Sequence, residues 1–145
     1  MDLKDAMDNF YEIVSISEGK HLNKVALGEK LTNNSMLYLD VIVYKKNCTV
    51  SYIAEVLGIA MPAVTVKVKE LEKMGFVTKE QSESDKRTFY IKPTEMVVEI
   101  YKKFDKAYYG VIEEFEKSHS TEDSENFAKF LNDMTEIYKK IVERR

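Results

Sequence analysis

Cysteine occurs once in this 145-residue chain, histidine and proline twice each, and tryptophan not at all. The single thiol, Cys48, excludes an intramolecular disulfide framework, which fits a reducing cytoplasm. His21 and His119 are too few for a histidine-rich metal centre, and no spacing of Asp or Glu completes one, so neither metal nor other cofactor is expected. No apolar run approaches the roughly 18 residues of a membrane span. The opening MDLKDAMDNFYEIV is acidic and helical in pattern, unlike a signal peptide. Repeats and linkers rich in glycine, serine or proline are also missing, so residues 1–145 are expected to form one soluble, cytoplasmic domain. There is no phosphate-binding loop, dinucleotide fingerprint, nucleophile elbow or metalloprotease motif. Carboxylate pairs such as Glu113-Glu114 and Glu122-Asp123 fall in helical or turn contexts where solvated charge is the default. No enzyme is expected.

An excess of positive charge is lacking too. The formal net charge is −3, so bulk composition does not mark a nucleic-acid-binding protein. The distribution is uneven, however. Residues 1–43 hold 4 basic and 7 acidic side chains, residues 44–92 hold 9 and 6, and residues 93–145 hold 9 and 12. The one positive segment is the central one, and a field segregated in this way can orient a protein on a polyanion.

That segment is also the most legible. Thr49 is an N-cap type of residue; Ile53, Ala54 and Leu57 form one apolar face after it, and Gly58 supplies the left-handed residue that ends a short helix. Pro62 sits where a helix tolerates proline, in its first turn. Val64, Val68 and Leu71 then recur at i, i+4 and i+7, predicting a second helix that buries one stripe, carries Thr65, Val66 and Lys69 on its other face, and stops at Gly75. Phe76–Glu80 and Thr88–Lys92 are β-prone runs around the polar loop QSESDKR, a predicted hairpin with Lys86 and Arg87 at its tip. Two short helices across a tight turn, followed by a basic hairpin, are the grammar of a winged helix-turn-helix. A helix of this size fits the DNA major groove, and a basic loop reaches phosphates or the neighbouring minor groove.

The outer segments read as helices. Residues 2–18 carry Leu3, Met7, Phe10, Tyr11 and Val14 in a helical stripe ending at Gly19, while Lys20–Leu31 has no clear pattern. Thr32 is expected to cap a helix that turns Met36, Leu39, Ile42 and Val43 inward and ends at Asn47. Thr94, after Pro93, is expected to cap a long helix with apolar positions from Val97 to Phe115 and with Gly110 available for a bend or a close approach. Ser120 or Thr121 caps the last helix, which shows Phe127, Phe130, Leu131, Met134, Ile137, Tyr138, Ile141 and Val142, with Arg144 and Arg145 at the negative end of its dipole. The fold class is therefore mainly α with a small β-hairpin wing.

LTNNSMLYLDVI, the helix pair, LEKMGFV, SDKR and then PTE stand in an order and spacing that resemble the MarR family of winged-helix transcriptional regulators. Leu71–Val77 taken with Asp85-Lys86-Arg87 is the most specific part, and the flanking helices extend the resemblance over nearly the whole chain. It implies a winged helix-turn-helix region at 32–92, dimerisation helices at 1–19 and 94–145, and a homodimer that binds a pseudo-palindromic operator, most simply as a repressor. Leu3, Phe10, Phe127, Phe130, Met134, Ile137 and Ile141 are the dimer candidates it implies; packing within the chain is the alternative for each. A small aromatic or acidic effector, as in the family, would lie among Tyr11, Tyr38, Tyr44, Tyr101 and Tyr108, which are otherwise ordinary core edges.

For DNA the candidates are Thr49, Ser51, Met61, Pro62, Ala63, Thr65, Val66, Lys69, Lys86 and Arg87, with Asp85 orienting Arg87. The alternative at the tip is a solvated pair in which Asp85 bridges Arg87. Lys67 is either a phosphate contact or a surface lysine. The start of the second helix departs from the family, since Met61, Ala63 and Val66 offer only apolar contacts, such as with thymine methyls, and this leans the expected site towards A·T. Cys48 has only Lys45 and Lys46 nearby to favour a thiolate, and the family's reactive cysteines lie in the first helix, so no redox role is expected. The alternative function is a winged-helix module that binds protein and not DNA, which the acidic net charge favours.

Overall fold

The computed structural model describes residues 1–24 and 32–143. Residues 25–31, among them Gly28, lie outside the described residues with Arg144, Arg145 and the His21 side chain. Among the described residues six helices and one hairpin follow in order: α1 (Leu3–Lys24), α2 (Asn33–Tyr44), α3 (Val50–Leu57), α4 (Met61–Lys73), β1 (Val77–Gln81), β2 (Phe89–Pro93), α5 (Glu95–Ser118) and α6 (Thr121–Glu143). The chain is mainly helical with one small antiparallel wing, as its patterning predicts. Two compact units divide it, residues 1–104 and 105–145.

In the first unit the core is built by α2, α3, α4, the hairpin and the first turns of α5. Leu39 and Ile42 of α2, Ile53 of α3, Val64, Val68 and Leu71 of α4, Ile91 of β2 and Val97 of α5 are almost fully buried together. Burial at i, i+4 and i+7 along α4 is the stripe its sequence predicts. Thr32 caps α2 by accepting from the Ser35 amide at 3.1 Å, and Thr49 caps α3 by accepting from the Tyr52 amide at 3.1 Å. The segment before α3 joins the sheet edge, with the Ile91 amide donating to the Cys48 carbonyl at 2.8 Å.

Several boundaries differ from the sequence expectation. α1 runs through Gly19 to Lys24, because one glycine costs a helix interior only about 0.5–1 kcal/mol and no proline follows it within the helix. α2 ends at Tyr44, not Asn47; Asn47 adopts φ 56° in the turn beyond, a conformation its short polar side chain tolerates. β1 begins at Val77, since the Phe76 amide closes α4 by donating to the Leu71 carbonyl at 2.9 Å. β2 begins at Phe89, because Thr88 belongs to the tip turn, its amide donating to the Asp85 carbonyl at 2.9 Å.

Thr94 precedes α5, but its hydroxyl is turned away from that helix. It donates to the Gly75 carbonyl at 2.8 Å, while the Thr94 amide donates to the Phe76 carbonyl at 3.0 Å. The end of α4 is thereby tied to the start of α5. Tyr101 of α5 is also anchored, donating its phenol to the Asp40 carboxylate of α2.

In the second unit Ser120, not Thr121, caps α6: its hydroxyl accepts from the Asp123 amide at 3.1 Å and the Asp123 carboxylate accepts in return from the Ser120 amide and hydroxyl. Those bonds, the hydroxyl's first, hold the Asp123 carboxyl below the usual carboxylate range. Phe115 stacks on His119 at 4.0 Å and meets Phe127 at 5.1 Å. α5 runs unbroken through Gly110, where an added Cβ would meet nothing within 4 Å in this chain. The large apolar side chains of α6 from Phe127 to Val142 are each partly solvent-exposed, Phe127 while it packs on Phe115.

Candidate nucleic-acid interface

The chain turns by 116° between α3 and α4. Gly58 makes that turn possible at φ 62°, with the Ile59 amide donating to the Ala54 carbonyl at 3.0 Å to close α3. Pro62 lies in the first turn of α4, and Ala60 at the cap position supplies no side-chain hydrogen bond. With Val64, Val68 and Leu71 buried, helical periodicity puts Pro62, Val66, Lys69 and Lys73 on the opposite face. Val66 is 68% exposed and Met61 52%; Ala63 is exposed on the flank.

The polar side chains of α4 are mostly engaged. Thr65 donates its hydroxyl to the Met61 carbonyl at 2.9 Å, so that donor is not offered outward. Lys67 pairs with Glu70 at 2.8 Å and its side chain is only 11% exposed, which accounts for it as a structural lysine. Lys69 and Lys73 are exposed, and among the described residues neither has an ion pair. Lys73 was not singled out from sequence, although its spacing of four from Lys69 and seven from Val66 places it on the same face. At the start of α3, the capping bond uses a lone pair of Thr49 Oγ1 and leaves its hydroxyl hydrogen available. Ser51 is exposed one residue into the helix.

The hairpin pairs Val77 with Pro93 through Gln81 with Phe89. Its tip is ordered from within. The Asp85 carboxylate accepts from the Arg87 amide at 3.0 Å and the Thr88 hydroxyl at 2.9 Å. These bonds, the amide's first, hold the Asp85 carboxyl below the usual carboxylate range. Asp85 therefore orients the backbone that carries Arg87 and not the guanidinium, and among the described residues no ion pair links the two. Below the tip, buried Ser82 accepts from the Asp85 amide and the Tyr90 phenol, both at 3.3 Å. Lys92 and Lys79 lower on the hairpin pair with Glu80 at 2.6 Å and Glu72 at 3.8 Å, whereas Lys86 and Arg87 are exposed without such partners among the described residues.

The other candidates fall elsewhere. Cys48 is buried, and burial pushes its thiol up to about 11 against the smaller opposing effect of Lys45, the reverse of what a reactive thiolate needs. Lys45 itself lies 4.6 Å over the Tyr52 ring. Tyr38 and Tyr101 are core residues, Tyr101 because it follows Val97 by one turn on the buried stripe of α5, and they offer no ring to a ligand. Tyr11 and Tyr108 are exposed. Tyr44 packs edge-on against Tyr101 at 5.8 Å and lines an open groove with Lys45, Lys46, Asn47, Ile91 and Lys92. Among the described residues no group of histidine, cysteine and carboxylate side chains is placed to hold a metal ion, and no single helix is long and apolar enough to cross a membrane. The dimer candidates Leu3 and Phe10 on α1, and Phe127, Phe130, Met134, Ile137 and Ile141 on α6, are all solvent-facing in this chain.

A helix pair at this angle, followed by a hairpin with a basic tip, defines a winged helix-turn-helix protein. Residues 31–89 match the family model for the MarR family. No curated protein sequence matches the chain. Among solved structures it is similar to Streptococcus pneumoniae FabT in complex with DNA, at 19% identity and TM-score 0.74, covering 96% of each chain. It is also similar to a MarR-like transcriptional regulator from Thermotoga maritima, at 20% identity and TM-score 0.67, covering 96% of this chain and 98% of that one. The adhesin competence repressor AdcR from Streptococcus pyogenes matches at 20% identity and TM-score 0.64, covering 95% and 98%. The fold is that of a winged helix-turn-helix protein, and its winged core, residues 31–89, is similar to the MarR family.

Proposed function

We propose that this chain is a MarR-family transcriptional regulator, a cytoplasmic, non-enzymatic homodimer that binds a pseudo-palindromic DNA operator and represses by occluding a promoter. In each subunit α4 enters the major groove with Met61, Pro62, Ala63, Thr65, Val66 and Lys69, while Thr49 and Ser51 donate to phosphates from the start of α3. Lys86 and Arg87 reach the neighbouring minor groove. The observation that carries the reading is the tip: two adjacent cations without ion-pair partners among the described residues, on a backbone that Asp85 holds in place. Cations left uncompensated by the fold are what a phosphate backbone recruits. The similarity to FabT, whose structure contains DNA, supports the same reading. Leu3, Phe10, Phe127, Phe130, Met134, Ile137 and Ile141 join two copies, which sets two readers about one duplex turn apart, roughly 34–36 Å. A small effector acts by favouring a dimer whose readers no longer match that spacing, limited by its differential affinity for the two arrangements.

The test is fluorescence anisotropy with duplex DNA from upstream of the protein's own gene, from about 50 to 200 mM salt. Wild type is expected to show a steep negative salt dependence. Lys86→Ala/Arg87→Ala should weaken binding and make the slope of log affinity against log salt shallower by about 2 per subunit. An equal slope in the variant overturns the role of the tip. Absence of binding at low salt by an intact dimer favours the second reading, a protein-interaction module, for which the exposed apolar side chains of Met61 and Val66 would be the contact surface.

A further inference from the structure

We infer that α4 reads the C5-methyl group of pyrimidines as its main sequence determinant, through Val66 with Met61 beside it. The inference rests on the DNA-binding reading above and names what that interface recognises. Base readout in the major groove normally uses side chains that donate to or accept from base edges. From Met61 to Val66, the stretch that a docked recognition helix presents first, only Thr65 has a side chain with any hydrogen-bonding group. Its hydroxyl hydrogen is already given to the Met61 carbonyl at 2.9 Å. Lys67 is held by Glu70 at 2.8 Å, and Lys69 stands nearly one turn beyond Val66.

Over its first six residues the outward face of α4 is therefore apolar and solvent-facing, with Val66 68% exposed directly opposite the buried stripe and the lysines Lys69 and Lys73 following it. The groove floor has one apolar feature to match it, the methyl on C5 of thymine. Cytosine lacks that methyl, so against an unmodified C·G pair Val66 loses its apolar contact. 5-Methylcytosine carries the same methyl at the same carbon. Through Val66 the reader therefore discriminates thymine from cytosine, and this apolar contact does not by itself discriminate thymine from 5-methylcytosine.

The test begins by selecting the tightest-binding duplex from a random pool about 30 base pairs long, room for two half-sites. It is then resynthesised with deoxyuridine at one thymine per half-site in turn, which removes only the methyl. Affinity is expected to fall about fourfold per methyl lost, or about fifteenfold for a symmetric pair, at one or two positions in each half-site. At those positions a 5-methyl-C·G pair should bind more tightly than C·G by the same factor. Val66→Ser and Met61→Ser, both on exposed side chains and so compatible with the fold, should reduce the thymine-over-uracil ratio towards one. Lys86→Ala/Arg87→Ala should lower affinity for both duplexes and preserve the ratio. A uracil effect that arises from duplex flexibility would persist in Val66→Ser, and that result overturns the inference. Equal affinity for thymine and uracil at every position overturns it too, while leaving DNA binding intact. Failure to bind any duplex in the pool instead overturns the DNA reading itself, and this inference with it.

Discussion

Single side chains in this protein are decided by which partner competes for them, and Cys48 is the clearest case. Its neighbourhood in sequence holds Lys45 and Lys46, which favour a thiolate, yet burial prevails and moves the thiol from an ordinary 9.0 up to about 11. The fold therefore prefers the protonated form more strongly than the unfolded chain does. That preference contributes stability in full below pH 9.0 and loses it as pH rises through about 11. Unfolding free energy from urea titrations should show it: the advantage of wild type over Cys48→Ala should be constant below pH 9.0 and shrink between there and about 11. A difference that stays constant across that window would mean the thiol is solvated. Thr94 obeys the same rule of competition. Its position before a helix reads as a cap, because the local amides are the only partners visible in sequence. The acceptor it takes instead, the Gly75 carbonyl, lies 19 residues away and only folding brings it near. Thr32, Thr49, Gly58 and Ser120 were legible because their partners are within four residues.

Elements were legible where one face is buried by the chain itself. The stripe Val64, Val68, Leu71 identifies α4 because the core it enters leaves no other orientation. The strand limits shift by one residue since helix closure at Phe76 and the tip turn at Thr88 claim backbone groups before the ladder does. Among the candidate site residues, sequence marked the wing's cations but not their state: Lys67 reads like Lys69 until its pairing with Glu70 is seen. At the wing, what Asp85 does for Arg87 sets two effects against each other. Asp85→Ala removes a negative charge beside Lys86 and Arg87, which on its own strengthens attraction to phosphate. It also releases the Arg87 amide and the Thr88 hydroxyl, so the tip must be ordered on binding. Two hydrogen bonds to a charged acceptor order the tip by more than the loss of one solvent-screened charge strengthens its attraction to phosphate. Asp85→Ala is therefore expected to weaken DNA binding about threefold to tenfold, after discounting for full solvent exposure. Anisotropy at fixed salt measures it, and a gain in affinity would mean that charge outweighs order.

At the scale of the molecule, the apolar surface left open is the dominant fact. The described side chains of α1 and the apolar side chains of α6 are almost all exposed, with Phe10, Phe130, Ile137 and Ile141 facing solvent. A soluble monomer seldom shows apolar surface of that extent, and in the proposed homodimer a second copy covers it. A charge placed there costs the single chain little, because the site is already wet; placed in the interface it strands an ion away from water. Phe130→Lys/Ile137→Lys should consequently leave the winged unit folded, with helical circular dichroism retained, while sedimentation equilibrium shifts from twice the chain mass to the chain mass. DNA affinity should fall about 10²–10⁴-fold, since the second reader then no longer binds at the effective concentration that linkage provides. The residual binding should keep its preference for thymine over uracil, for one α4 still reads one half-site. A variant that remains dimeric with two buried lysines would place the interface elsewhere. A monomer that binds DNA as tightly as wild type would mean that one reader suffices and that the operator has no need of two-fold symmetry.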